Sequence, residues 1–218
     1  DNYNDNSELS KLNKGDKNIS NDLKDLIDFG LSWNQKSNGL LNINMGGITK
    51  IWHEFMVNNA ELPTIEQLNK VDISIDDDFY NSKNINIDLG AIAKGYVTEL
   101  AGKYLESIGI DNFIINAGGN VKVGKSEKGF YNIGIADPNN SVESFIAVKG
   151  ENISVVTSGS YQRFREYNGV IYNHIIDPIT KFPTNNMKSV TIIGKDSGEC
   201  DALSTTLFLM NIEDGKKF

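Results

Sequence analysis

Leu23, Leu26, Ile27 and Leu31 recur at helical spacing behind Ser20, a good N-cap, and the run stops at Asn38-Gly39. The pattern predicts a helix over about 21 to 36. Ahead of it, residues 1 to 19 are polar and rich in Asn and Lys, broken only by Leu9 and Leu12. A weakly held leading segment with one short helical turn behind Ser7 is expected there. Gly46-Gly47 are expected to loosen the backbone ahead of Ile51-Trp52 and Phe55. Pro63 stands where a helix can start, with Glu66, Gln67 and Lys70 after it. Ile85, Ile87 and Leu89 alternate with Asn86 and Asp88, as in a half-buried strand ended by Gly90. Ala93, Val97, Leu100, Tyr104 and Ile108 then mark one face of a helix that stops at Gly109.

Strands dominate the second half of the chain. Phe113 to Ile115 reads as a strand running into Ala117-Gly118-Gly119-Asn120, and Val121 and Val123 suggest that the chain turns back as another. Three more are expected near 130 to 136, 144 to 149 and 152 to 157. Asn168-Gly169 is a strong type I′ hairpin signal between 164–167 and 170–172. Ser189 to Gly194 alternates as a strand, after which Ala202, Leu203, Thr206, Leu207 and Met210 are expected to form the buried stripe of a last helix. Runs of strands with hairpins and a few long helices predict an α+β fold with a mixed, largely antiparallel sheet flanked by helices. At 218 residues and 39% hydrophobic, one compact domain over 1–218 with a proper core is expected.

Charge narrows the partners. Lys+Arg of 21 against Asp+Glu of 29 gives a net charge of -8 with no basic stripe, so nucleic acid is a poor partner. A small phosphorylated ligand is compatible, because backbone N–H groups and a metal can bind phosphate inside an acidic protein. The lone Cys200 excludes an intramolecular disulfide and a Cys-based zinc site. Asp76-Asp77-Asp78 lacks the spaced ligands of a calcium loop and reads as a solvated turn. No apolar run reaches membrane-spanning length, and Asp1-Asn2-Tyr3-Asn4 is neither a signal peptide nor an anchor. Trimmed boundaries are expected at both ends.

Four stretches place polar residues where elements meet loops. In 85–96, a strand, Gly90 and a helix whose first turn carries Lys94 can attract phosphate, or form a plain strand-to-helix turn with a solvated lysine. Asn116-Ala117-Gly118-Gly119-Asn120 allows close approach of a ligand or a tight hairpin. Thr157 to Arg163, including Ser158 and Tyr161, is a hydroxyl-rich turn that can bind phosphate or ribose or cap a strand. The fourth joins His174-Ile175-Ile176-Asp177-Pro178 to the 199–206 segment. Asp201 and Thr205 lie one helical turn apart, a hard-oxygen pair suited to Mg²⁺. On spacing alone, a capping Asp and a back-bonded core Thr fit them better. His174 suits a general base or a strand-end histidine, and with only His53 beside it in the sequence a His-rich metal site is excluded.

Taken in order, NSELSKLN at 6 to 13, the Gly39 to Trp52 segment, LGAIAKGY at 89 to 96, NAGGN at 116 to 120, TSGSYQR at 157 to 163, HIIDPIT at 174 to 180 and DALSTT at 201 to 206 resemble the ApbE family of FAD:protein FMN transferases. The resemblance implies metal-dependent transfer of FMN from FAD, as substrate, to a Thr or Ser hydroxyl of a target flavoprotein, with release of AMP. It implies side-chain metal ligands at Asp201 and Thr205 and a third from the carbonyl of Ala91. It places Lys94 against FAD, the backbone of Ile175 at its adenine end, and His174 as acceptor of the target hydroxyl's proton. Asn116, Gly118, Gly119, Ser158 and Tyr161 are further cofactor-contact candidates. Mg²⁺ on the diphosphate would neutralise charge that repels the nucleophile. Export with a lipid anchor, and electron-transfer flavoproteins as targets, are also implied. Lys181 stands where the family usually has Gly, and Asn42 where Asp is commoner. The family's N-terminal segment, with a methionine over the flavin, is expected to be missing. An FAD pyrophosphatase and a flavin-binding protein without catalysis are the rival expectations.

Overall fold

The structure is a computed structural model that describes residues 4–218; residues 1–3, the start of the leading segment, lie outside the described residues. In chain order its helices are α1 (Glu8–Asn13), α2 (Asn21–Lys36), α3 (Gly46–Asn58), α4 (Ile65–Asn69), α5 (Ala93–Ser107), α6 (Ser197–Leu209) and α7 (Ile212–Lys217). The strands are β1 (Ile114–Asn116), β2 (Asn120–Val123), β3 (Tyr131–Asp137), β4 (Asn140–Gly150), β5 (Ile153–Gly159), β6 (Phe164–Tyr167), β7 (Val170–Asn173) and β8 (Ser189–Gly194). The chain divides into two compact units, Asp1–Leu89 with Arg163–Thr184, and Gly90–Gln162 with Asn185–Phe218.

In the first unit, α1 and α2 start where the sequence predicts, behind Ser7 and Ser20, whose side chains accept from Ser10 N and Leu23 N. The leading segment is anchored rather than loose: Leu9 and Leu12 are buried, and Asn13 bonds both the N–H and the carbonyl of Ile87. Those two bonds also explain why 85–89 is not a strand. Its backbone is satisfied by Asn13, by Asn44 Oδ1 at Asn86 N and by the 43–46 backbone, so no sheet partner is needed although Ile87 and Leu89 are buried as expected. Gly46 and Gly47 do not loosen the chain but open α3. A Cβ on Gly46 would lie 2.6 Å from the Asn86 carbonyl, and one on Gly47 2.7 Å from Val71. Asn42 donates to Ile73 O and accepts from Asn44 N, a pairing that an ionised Asp could not complete because it has no donor.

The core of this unit is aromatic. Trp52 stacks on Tyr172 and meets Phe55 and Phe182 edge-on. Arg165, on the β6–β7 hairpin, covers the Phe55 ring at 4.3 Å. The hairpin turns at Asn168 and Gly169, both with positive φ as a type I′ turn requires.

In the second unit, β1, β2, β5 and β8 form a four-stranded sheet in that order, and β3 pairs with β4; every pairing among the described strands is antiparallel. Helices α5 and α6 pack on each other and on this sheet. The apolar stripe of α5 does share one face, but that face is exposed, with Val97 at 57% and Tyr104 at 64%. The buried face is Gly95, Thr98, Glu99 and Gly102. Small residues bring this helix close to its neighbours, and a periodicity of apolar residues does not say which face is packed. Helix α6 is buried on nearly all sides, so Leu203, Leu207 and Met210 are only partly buried while Phe208 and Leu209 enter the core. It is not the last helix, since α7 comes after it behind an Asn211 cap.

Candidate active site

Helix α6 begins at Asp196, whose side chain accepts from Glu199 N, so the N-cap role is taken and Asp201 is free for another. Asp201 is 2% exposed. Its Oδ2 accepts from Gly95 N at 2.7 Å, in the first turn of α5, and its Oδ1 lies 3.6 Å from Lys94 Nζ. Gly95 makes this approach possible, because a Cβ there would stand 2.4 Å from Asp201 Cβ and from Ser197 O. Asn120 is fully buried alongside: Ser197 Oγ donates to its Oδ1 at 2.6 Å. Its Nδ2 makes no well-formed hydrogen bond but favours the ionised Asp201. Burial pushes the Asp201 carboxyl above its ordinary range, and Lys94, the Gly95 N–H and Asn120 only partly oppose this.

The back-bonded threonine of α6 is Thr206, whose hydroxyl donates to Ala202 O at 2.8 Å. Thr205 behaves differently. Its Oγ1 leaves the helix and lies 3.5 Å from Ala91 O and 3.3 Å from Ser158 Oγ. A carboxylate, a hydroxyl and a carbonyl are all hard oxygen donors, and a Mg²⁺ site commonly has one carboxylate with the rest completed by substrate phosphate and water. The donor set therefore fits such an ion. The fit rests on mixed oxygens and not on an acidic cage, since no group of three or more His, Cys, Asp or Glu suited to a metal occurs among the described residues. Lys94, half exposed, adds a positive charge that can face a phosphate.

A cleft of about 500 Å³ lies on the same unit. Asn116, Gly119 and Tyr161 line it, whereas Lys94, Gly118 and Ser158 are not among its lining residues. The NAGGN stretch is both the β1–β2 turn and a wall of this cleft: Gly118 and Gly119 have φ of 64° and 87°, and a Cβ on Gly119 would lie 3.2 Å from Gln162 Nε2. Thr157 and Gln162, from the same hydroxyl-rich stretch as Tyr161, line it too, and sequence reasoning missed Val121, Val155 and the 133–136 run of β3, which complete the lining. Nothing in the alternation of β3 separates a cleft wall from a solvent face. Thr157 and Ser158 belong to β5, so the expected hydroxyl-rich turn begins only at Ser160.

His174 and Ile175 belong to the first unit, and the other candidates to the second. His174 comes directly after the last residue of β7, partly buried, with Nδ1 3.2 Å from Arg163 O. A carbonyl only accepts, so this contact requires a proton on Nδ1. Asn173, fully buried, pins the segment by donating to Thr184 O at 2.6 Å and accepting from Ile175 N at 2.8 Å. Lys181 has a φ of 59°, which supplies the reason for a glycine at this place in the resemblance. The lysine offsets the strain by donating from Nζ to Leu68 O and Val71 O.

The sequence pattern of the ApbE family matches residues 1–218. The chain belongs to the ApbE family. Among its relatives, a protein named FAD:protein FMN transferase from Treponema pallidum (strain Nichols) is 29% identical over 89% of this chain and 61% of its own length. One of the same name from Buchnera aphidicola subsp. Baizongia pistaciae is 30% identical over 99% of this chain and 69% of its own. The chain thus spans roughly three fifths to two thirds of these ApbE proteins. In structure it resembles the ApbE protein of Thermotoga maritima, with a TM-score of 0.87 at 27% identity over 99% of this chain and 75% of that one. It also resembles the flavin transferase ApbE of Vibrio cholerae, with a TM-score of 0.78 at 27% identity over 99% and 74%. The α+β architecture is that of ApbE proteins.

Proposed function

We propose that this chain transfers FMN from FAD to a Thr or Ser hydroxyl of a target flavoprotein and releases AMP, with a divalent cation held by Asp201, Thr205 and the Ala91 carbonyl. The observation that carries the reading is the oxygen set on α6: a buried carboxylate held by Gly95 N–H and a threonine hydroxyl turned out of its helix toward Ala91 O. Membership of a family whose relatives are named for this reaction supports it.

A bound Mg²⁺ would supply charge neutralisation on the diphosphate and so assist departure of AMP. The chain's own residues position the reactants. The cleft, apolar along β3 and polar at Asn116, Thr157 and Gln162, suits an aromatic ring system with a few polar edges. Lys94 presents an ammonium to a phosphate oxygen. The acceptor hydroxyl's oxygen forms a bond to the FMN phosphorus, the bond from that phosphorus to the AMP phosphate oxygen breaks, and His174 is assigned to accept the hydroxyl proton.

The test is incubation of the protein with FAD, Mg²⁺ and a flavoprotein acceptor, reading a fluorescent flavinylated band together with AMP. Asp201→Ala is expected to abolish both signals, and full activity in that variant would remove the metal assignment. AMP and free FMN formed without an acceptor would make the chain a pyrophosphatase. FAD that stays intact throughout would make it a binding protein.

A further inference from the structure

Four oxygens beneath the proposed cation site form a chain in which counting fixes the protons of the two serines and leaves Thr205 a choice between Ser158 Oγ at 3.3 Å and Ala91 O at 3.5 Å. Ser204, fully buried, donates its hydroxyl to the carbonyl of Asp201 at 2.9 Å. A carbonyl cannot donate and a serine has one hydroxyl proton, so that proton is committed. Ser158 Oγ lies 2.7 Å from Ser204 Oγ, and with Ser204's proton spent Ser158 must be the donor. The contact of 3.3 Å between Ser158 Oγ and Thr205 Oγ1 can then be a hydrogen bond only if Thr205 donates. The direction runs from Thr205 to Ser158 to Ser204 to the backbone of Asp201. It starts on one proposed cation ligand and ends on the main chain of the residue that carries another.

Direction decides whether Thr205 Oγ1 and the Ala91 carbonyl can face one cation together. If Thr205 donated instead to Ala91 O, 3.5 Å away, its proton would lie between two oxygens that a cation must approach. Drawing the proton to Ser158 leaves lone pairs of Thr205 Oγ1 and of the Ala91 carbonyl to face the same space. We infer that Ser158 and Ser204 are positioning residues that set the polarity of the Thr205 hydroxyl and so prepare it to bind a divalent cation. This rests on the proposed metal role of Asp201, Thr205 and Ala91. Ser158, a cofactor-contact candidate from sequence, stands beside the proposed cation ligand Thr205.

The experiment is titration of the purified protein with Mn²⁺, free ion being followed by its paramagnetic resonance, with Mg²⁺ competition and thermal melting of each metal-free variant. Ser158→Ala and Ser204→Ala are expected to weaken Mn²⁺ binding about tenfold or more, the effect typical of residues that orient a ligand. Ser158→Thr, which keeps a hydroxyl, is expected to restore most of it. If Asp201→Asn loses Mn²⁺ while both alanine variants bind as the wild type does, the hydroxyl chain is overturned and the metal site stands. Alanine variants that melt lower without any change in affinity would equally overturn the hydroxyl chain. If the wild type binds no Mn²⁺, the metal reading fails and this inference fails with it.

Discussion

Replacing Gly95 by alanine probes the contact that brings Asp201 to the first turn of α5. In an open helix interior the change would stabilise by about 1 kcal/mol. Here the new Cβ would stand 2.4 Å from both Asp201 Cβ and Ser197 O and 3.0 Å from Asn120 Nδ2. Two of those atoms belong to α6 itself and cannot swing aside, so the helices must separate. Crowding of this kind costs about 1–3 kcal/mol. Separation also stretches the 2.7 Å bond from Gly95 N to Asp201 Oδ2. A hydrogen bond to a charged group contributes about 1.5–3 kcal/mol. Taken against the propensity gain, the net loss is about 2–5 kcal/mol, or a drop in melting temperature on the order of 5–15 °C for a chain of this size. Gly215→Ala serves as the matched control, since its Cβ would meet only Leu207 Cδ2, at 3.3 Å. That variant is expected to melt at or slightly above the wild-type temperature. Thermal unfolding followed by circular dichroism reads both. A Gly95→Ala protein that melts no lower than wild type would refute the packing account of Asp201.

Lys122→Ala leaves Glu99 buried without its 2.8 Å partner, and removing one member of such a pair costs about 3 kcal/mol, toward the low end because Lys103 stays 3.3 Å away. Burial raises the Glu99 carboxyl, but Lys122, Ser197 N–H and Lys103 together hold it below its usual range. Its stabilisation is thus present above the carboxylate range and lost on acidification, so acid titration of the variant should show a shallower loss than wild type. Asp201 has the opposite sign. Its raised carboxyl stabilises the metal-free fold when protonated and loses that stabilisation as pH rises through its folded-state value. Metal-free Asp201→Asn is therefore expected to melt above wild type near neutral pH, with the gap closing in acid; a constant gap would contradict the assignment to desolvation. At Lys181, glycine relieves the left-handed backbone and alanine does not, while both lose the bonds to Leu68 O and Val71 O. Urea unfolding should rank Lys181→Ala below Lys181→Gly by about 1 kcal/mol, and the reverse order would remove the strain argument.

Local chemistry was legible along the chain because it is settled within a few residues. Ser20 caps α2, Asn168-Gly169 turns its hairpin, and the strands from 131 to 159 and 189 to 194 fall where alternation places them. The motifs also determined the family, since their order survives independent of any packing. Tertiary structure decided what each pattern faces. The stripe of α5 is correctly periodic and yet exposed, because Gly95 and Gly102 permit a closer contact than the larger residues would. Residues 85–89 alternate like a strand, but Asn13, 74 positions away from Ile87, supplies the bonds that a neighbouring strand would have given. Spacing alone favoured a capping Asp and a back-bonded Thr on α6. Asp196 and Thr206 fill those places, and contacts from α5 and β5, about fifty to over a hundred residues distant in sequence, turn Asp201 and Thr205 to other work. Hydrogen-bond partners so far apart leave no trace in local periodicity, which is why the site was readable as a set of residues and its geometry was not.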